Sequence, residues 1–215
     1  MYIGRIVAVA QTTDGRLGAL YRVSSRSFPN RTAVVAEERV SIVPKPGHEL
    51  DVQKNPYIAY NCVRVVCSGE VAVATNGSQT DAIAEKMEMG MPARDALALT
   101  HLALDYEKDQ YNTPRVSAVV DKVDGSGWLA IVRDDGLEVR RMPLTPGRFF
   151  YVATYEENHV RGEQSGGFEP SDAPTCCAFM LGGGVFAERT HAITAVAALA
   201  NEDGFTLHVQ DASHA

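Results

Sequence analysis

The sequence predicts an α+β fold in which antiparallel sheets pack on each other and helix pairs cover their outer faces. Three observations carry this. Most of the chain falls into short runs rich in Val, Ile, Tyr and Phe, separated by turns bearing Gly and Asp. Two blocks follow the helical period instead. The blocks come in the order strands, two helices, strands, two helices, strand, which is not the β-α-β alternation of a doubly wound sheet. With 215 residues, 45% hydrophobic and 22% charged, the chain is long enough for one sizeable core, and a single domain over 1–215 is the economical reading.

The elements follow in order. GRIVAVA and LGALYRV flank the Asp14–Gly15 turn and read as a hairpin. TAVVAEERVSIVP continues as a strand region, and PYIAYNCVRVV and EVAVAT are two further runs joined at Ser68–Gly69. At Ser78 the period changes, where Ser78 and Asp81 have the spacing of a capping box ahead of AIAEKM. Pro92 opens a second helix, whose Ala93, Leu97, Thr100 and Leu104 form one stripe toward a core. From Pro114 strands return as RVSAVV, WLAIVR, LEVRRM and FFYVATY. Residues 157–174 read as a long exposed loop. CCAFMLGG and VFAERTHAITAVAALA read as two helices, with LGGGVF as the turn between them, before a last strand FTLHVQ.

Composition narrows the function classes. MYIGRIVAV lacks a basic region followed by a long apolar core, so no secretory signal is expected. THAITAVAALAN, the longest uncharged stretch read as helix, is well short of the ~20 residues that span a bilayer. A cytoplasmic protein without membrane partners is expected. The four cysteines (62, 67, 176, 177) form no C-x-x-C, and the histidines at 48, 101, 159, 191, 208 and 214 show no ligand spacing, so neither metal nor cofactor is expected. Cys176 and Cys177 read as small buried apolar residues.

Charge is unevenly spread. The chain carries a net charge of -7, yet residues 1–36 hold Arg5, Arg16, Arg22, Arg26 and Arg31 against Asp14 alone. A local basic site in an acidic protein argues against nucleic acid, which needs a broad positive face. It suits one small anion: the arginine fork pairs bidentately with phosphate, and Ser27 and Asn30 add neutral donors. Ordinary surface pairing with Glu37 and Glu38 would equally explain these arginines. Three other stretches are unusually polar. Tyr60 and Asn61 interrupt an apolar run. The turn Asn76–Gly77–Ser78 feeds a helix N-terminus and offers backbone N–H groups. Around residues 104–115, Asp105, Glu107 and Asp109 stand beside Thr113 and Arg115, and Glu107 next to a tyrosine is a workable acid/base pair. LGGGVF lacks the Gly-Lys-Ser/Thr of a phosphate loop.

Taken together, MYIGRI, YRVSSRSFPNR, the GHE and NPYIAYNC stretches, TNGSQTD, and DYEKD followed by NTPR resemble the archaeal-type IMP cyclohydrolases. The resemblance is dense over residues 1–115 and thins to ATYEE and the GGG-containing block beyond. It implies a four-layer αββα sandwich similar to the N-terminal-nucleophile hydrolases. Met1–Tyr2 offers no such nucleophile. It also implies a reaction: ring closure of 5-formamidoimidazole-4-carboxamide ribonucleotide to IMP with loss of water, without cofactor, at the end of purine biosynthesis. On that basis Tyr60, Glu107 and Asp105 are the expected catalytic residues. Arg5, Arg22, Arg26 and Arg31, with Ser27 and Asn30, are expected at the 5′-phosphate. Asn61, Asn76, Gly77 and Ser78 are expected near the developing oxyanion, with Thr113 and Arg115 completing substrate binding. A homo-oligomer is expected. Two alternatives stay open: an amidohydrolase of another small amide, with Cys62 as nucleophile, and a non-catalytic module that binds purine nucleotides.

Overall fold

A computed structural model of the chain describes residues 1–213 and is α+β, built on two antiparallel sheets. His214 lies outside the described residues. The strands are β1 (Ile6–Gln11), β2 (Leu17–Ser24), β3 (Arg31–Ala36), β4 (Arg39–Pro44), β5 (Tyr60–Val66), β6 (Val71–Thr75) and β7 (Arg115–Asp121). They continue as β8 (Ser126–Arg133), β9 (Gly136–Met142), β10 (Arg148–Ala153), β11 (Ser165–Gly167), β12 (Ala192–Asn201) and β13 (Gly204–Asp211). The helices are α1 (Asp51–Lys54), α2 (Gln79–Glu88), α3 (Ala93–Leu104) and α4 (Ala173–Gly182). The first sheet runs β11-β10-β1-β2-β12-β13, and the second is the meander β3 to β9 in chain order.

Strand alternation sorts the apolar residues into three cores. Val7 and Val9 of β1, with Tyr21 and Val23 of β2, face Ile42, Cys62, Ala74 and Val116 of the second sheet. The other face of the first sheet, with Ile6, Ala8, Leu20 and Phe149, packs under Cys176, Cys177 and Met180 of α4. The outer face of the second sheet, with Val73, Val119 and Ala130, packs under Ile83, Met87 and Leu97 of α2 and α3. Sheets lie inside and helices outside.

Several local readings are corrected. VFAERTHAITAVAALA is not a helix: its second half is β12, between β2 and β13. The strand is buried on both faces, with Val196 and Ala198 between the sheets and Ala195, Ala197 and Leu199 under α4. Such a strand shows no alternation and looks like a buried helix. LGGGVF therefore leads from α4 through a 3-10 turn, Gly184–Phe186, into a strand. TAVVAEERVSIVP splits into a hairpin at Glu37, whose φ is 52°. The 157–174 stretch is not simply an exposed loop, since β11 pairs with β10 and Val160 and Phe168 are buried anchors. Ser78 makes no side-chain capping bond, and Asp81 turns to Asn61 and Arg64 instead. A capping box forms at α4, between Asp172 and Thr175. Leu104 is exposed, and after Thr100 the buried position on α3 is His101.

Candidate active site

Antiparallel pairing brings the start of β1, the end of β2 and the end of β10 to one edge of the first sheet: Ile6 lies opposite both Arg22 and Ala153. The starts of β3, β5 and β7 meet the same end of the molecule from the second sheet. Between them opens a cleft of about 1150 Å³, lined by Arg5, Arg26, Ser27, Arg31, Glu107 and Thr113 among the expected residues. Lys54, Tyr57, Asp109, Tyr2 and Tyr155 are also in its walls.

Gly4 makes the approach of Arg5 possible. Its φ is +81°, and a Cβ there would lie 2.0 Å from Thr154 Oγ1, so no side chain fits. The Arg5 backbone N–H then donates to Thr154 Oγ1 at 3.1 Å, and Arg5 Nη2 reaches Glu107 Oε2 at 3.1 Å. Glu107 is 1% exposed, and its Oε1 accepts no hydrogen bond from the described residues, the nearest cation being Arg115 Nη1 at 3.9 Å. Burial pushes the Glu107 carboxyl above the usual carboxylate range, while the Arg5 and Arg115 guanidiniums pull it back. Burial works against the charge on Arg5, but the facing Glu107 carboxylate together with Tyr60, Tyr21 and Tyr155 outweighs it, so Arg5 stays protonated.

Arg31 is 2% exposed. Its Nε donates to the Phe28 carbonyl at 3.1 Å, and its buried Nη1 has no partner among the described residues. An unpaired buried guanidinium donor on a cleft wall is costly unless an anion completes it. Arg26 lies over the Tyr2 ring, 4.4 Å from its centroid, with its fork otherwise free of ion pairs among the described residues. Tyr60 is half-buried and its hydroxyl lies 2.6 Å from that of Tyr21, which comes from the opposite sheet. Burial raises the Tyr60 phenol, and Arg31 and Arg5 draw it back down.

Other expected residues line or back this cleft. Thr113 Oγ1 bonds Asp109 at 2.7 Å and the Tyr155 hydroxyl at 3.0 Å, and its carbonyl accepts the Glu107 N–H. Arg115 is fixed by Gln79 Oε1 at 3.0 Å and the Asp105 carbonyl at 2.9 Å. A Cβ on Gly77 would stand 2.8 Å from Arg115 Nη1 and 3.4 Å from Glu107 Oε1, so this position keeps room for that network. Asn76 spends its side chain on the Pro114 carbonyl, the Val116 N–H and Gln79, which ties β6 to β7.

Tyr60 is not among the lining residues, and five further expected residues are directed elsewhere. Arg22 alternates to the α4 side of β2, where it donates to the carbonyls of Met180, Leu181, Arg189 and Thr190 and to Ser24 Oγ. Asn61 bonds Ser41 and Asp81 on the α2 side of the second sheet. Asn30 engages its backbone carbonyl with Lys45, and Ser78 is an exposed helix cap. The Asp105 carboxylate faces Lys108 in solvent, which holds it below the usual range. Sequence reasoning in turn missed Tyr2, Tyr21, Tyr155 and Lys54. Tyr21 opens the YRVSSRSFPNR stretch, but a lone tyrosine in a strand reads as core.

The family model described as "IMP cyclohydrolase-like protein" matches residues 2–204. The chain belongs to this family. It is similar to the protein named IMP cyclohydrolase from Methanosphaera stadtmanae, 45% identical over 94% of this chain and 96% of that protein. It is also similar to the IMP cyclohydrolase of Methanocella arvoryzae, 55% identical over 73% of this chain and 75% of that one. The IMP cyclohydrolase of Methanocaldococcus jannaschii is 36% identical over 96% of this chain and 98% of its own length. The matched residues include the second sheet, the first sheet except β13, and every cleft residue named above. Among the described residues no helix is long and apolar enough to cross a membrane.

Proposed function

We propose that this chain closes 5-formamidoimidazole-4-carboxamide ribonucleotide to IMP, releasing water. The observation that carries the reading is the buried Glu107 carboxylate, incompletely paired among the described residues, in the same cleft as an Arg31 donor without a partner among them. One end of the site offers proton transfer and another offers an anion grip, in a chain whose relatives are named IMP cyclohydrolase.

Both reacting groups belong to one molecule, so the protein needs no nucleophile of its own. Holding amide nitrogen and formyl carbon in contact supplies the largest share, up to ~7–11 kcal/mol where orientation limits the rate. In this reading Arg26, Arg31 and Ser27 hold the 5′-phosphate. Glu107, a carboxylate beside Arg5, takes a proton from the carboxamide nitrogen as the N–C bond forms. Tyr60, protonated across the neutral range, gives its proton to the formyl oxygen. The resulting carbinolamine loses its hydroxyl as water when a second nitrogen proton leaves and the C=N bond forms. In all, two protons leave nitrogen and oxygen gains two. Such transfers contribute ~10²–10⁴-fold.

The amidohydrolase alternative loses its nucleophile: Cys62 is fully buried between the sheets, its Sγ–H donates to the Val40 carbonyl, and burial pushes the thiol far up. We read the chain as one domain of the N-terminal-nucleophile-hydrolase type, acting in the cytoplasm as a homo-oligomer. The test is to mix purified protein with the formylated ribonucleotide and separate the products by chromatography. IMP forming without added cofactor supports the reading; recovery of unreacted substrate, or of deformylated substrate alone, overturns it.

A further inference from the structure

Tyr21 is a phenol with one apparent purpose. It sits in β2, fully buried among Val9, Val23, Ile42 and Val196, and its ring belongs to the core between the sheets. Phenylalanine would fill that space equally well. The hydroxyl, however, has a single partner among the described residues, the Tyr60 hydroxyl across the sheet interface at 2.6 Å. A buried O–H must donate somewhere. Among the described residues Tyr21 has only the Tyr60 oxygen to receive its hydrogen. Tyr60 is half-buried, so its own hydrogen can point away from Tyr21 toward solvent or substrate, the nearby Arg31 and Arg5 guanidiniums being donors themselves. Donation from Tyr21 to Tyr60 leaves each hydrogen with somewhere to go, and the reverse does not.

We propose that Tyr21 is a positioning residue of the ring-closure site, donating its phenol hydrogen to the Tyr60 oxygen so that the Tyr60 O–H aims into the cleft and the phenolate left after proton transfer is held by a charge-assisted hydrogen bond. The role rests on the reading of Tyr60 as proton donor. The charged and titratable groups around Tyr60 are consistent with it. Arg31 from β3 and Arg5 ahead of β1 favour negative charge on the Tyr60 oxygen, Tyr21 does so by its hydrogen bond, and Cys62 on the same strand opposes it. Tyr21 is buried with its phenol pushed well up, so it stays the protonated member of the pair. A hydrogen bond to an ionised acceptor is roughly twice as strong as a neutral one, so the benefit grows as Tyr60 gives up its proton.

Tyr21→Phe removes the oxygen and little else. The expected result is a kcat about tenfold lower with KM within about twofold, because the bond strengthens only as charge develops. In a Tyr60→Phe background the same change adds no further loss, whereas an equal loss in both backgrounds overturns the role. Replacing Tyr60 by a ring-fluorinated tyrosine, a more acidic phenol, restores part of the kcat lost in Tyr21→Phe. Fluorine NMR of that residue, recorded without substrate, titrates about one pH unit higher when position 21 carries phenylalanine. An unshifted midpoint in an enzyme that makes IMP overturns the role of Tyr21 alone. A wild-type protein that makes no IMP overturns the ring-closure reading and this role with it.

Discussion

At the scale of single residues, Glu107 bears the most chemistry in the proposed reading. Its carboxylate is buried, touches Arg5 on one oxygen and leaves the other without a hydrogen bond among the described residues. A base must be deprotonated to act, and burial raises this group, so kcat/KM should fall as pH drops through a value above the usual glutamate range of about 4.3. Glu107→Gln keeps the shape and removes the proton acceptor. The expected outcome is a kcat lower by about 10²–10⁴-fold and loss of that acid limb, measured by a pH series of initial rates. A wild-type rate in Glu107→Gln would remove the base from the mechanism. The residue type was legible in the sequence, because a carboxylate among Tyr, Thr and Arg invites acid/base work. Which of Asp105 and Glu107 faces inward was not. That choice is made by the chain reversal at Asp105, whose φ is 56° and which turns its own carboxylate out to Lys108.

At the scale of elements, Arg22 shows how strand alternation overrides composition. It lies in the arginine-rich stretch, yet β2 sends it under α4, where it satisfies carbonyls at and beyond that helix's C-terminal end. Arg22→Ala leaves those carbonyls short of a donor inside the protein. It should lower the melting temperature by about 5–10 °C while leaving the Kd for IMP within about twofold, read by calorimetry and titration. Helix α3 gives a second element-scale outcome. His101 is buried against β7, its Nε2 2.8 Å from Ser117 Oγ, and burial lowers its pKa from 6.5 to about 3. The unfolded chain therefore binds the proton more readily, and this stabilisation is complete above pH 6.5 and lost as pH falls toward 3. Between pH 7 and 5 it should cost about 2 kcal/mol, or about 4–8 °C in melting temperature, and His101→Asn should flatten that difference. The hairpin of β1 and β2 was legible from its Asp-Gly turn and paired apolar runs. Strand β12 was not, because coverage on both faces erases the period that distinguishes strand from helix.

At the scale of the whole molecule, the site exists because two sheets end together. Neither sheet holds it alone. Arg5 and Tyr155 come from the first sheet's edge, Arg31 from the second, Glu107 from the loop after α3, and the Tyr21–Tyr60 pair bridges the interface. The alternation of strand and helix blocks made two helix-covered antiparallel sheets legible, although β12 reads as helix in that order. The convergence was not, since it depends on long-range pairings such as that of β1 with β10. The measurement that bears most directly on this account is a crystal structure with IMP bound. The account predicts the phosphate within hydrogen-bond reach of Arg26 and Arg31, with N1 and C2 of the base, the atoms joined in ring closure, facing Glu107 and Tyr60. Nucleotide seated elsewhere, or reversed so that the base meets Arg26 and the phosphate lies beside Glu107, would contradict it.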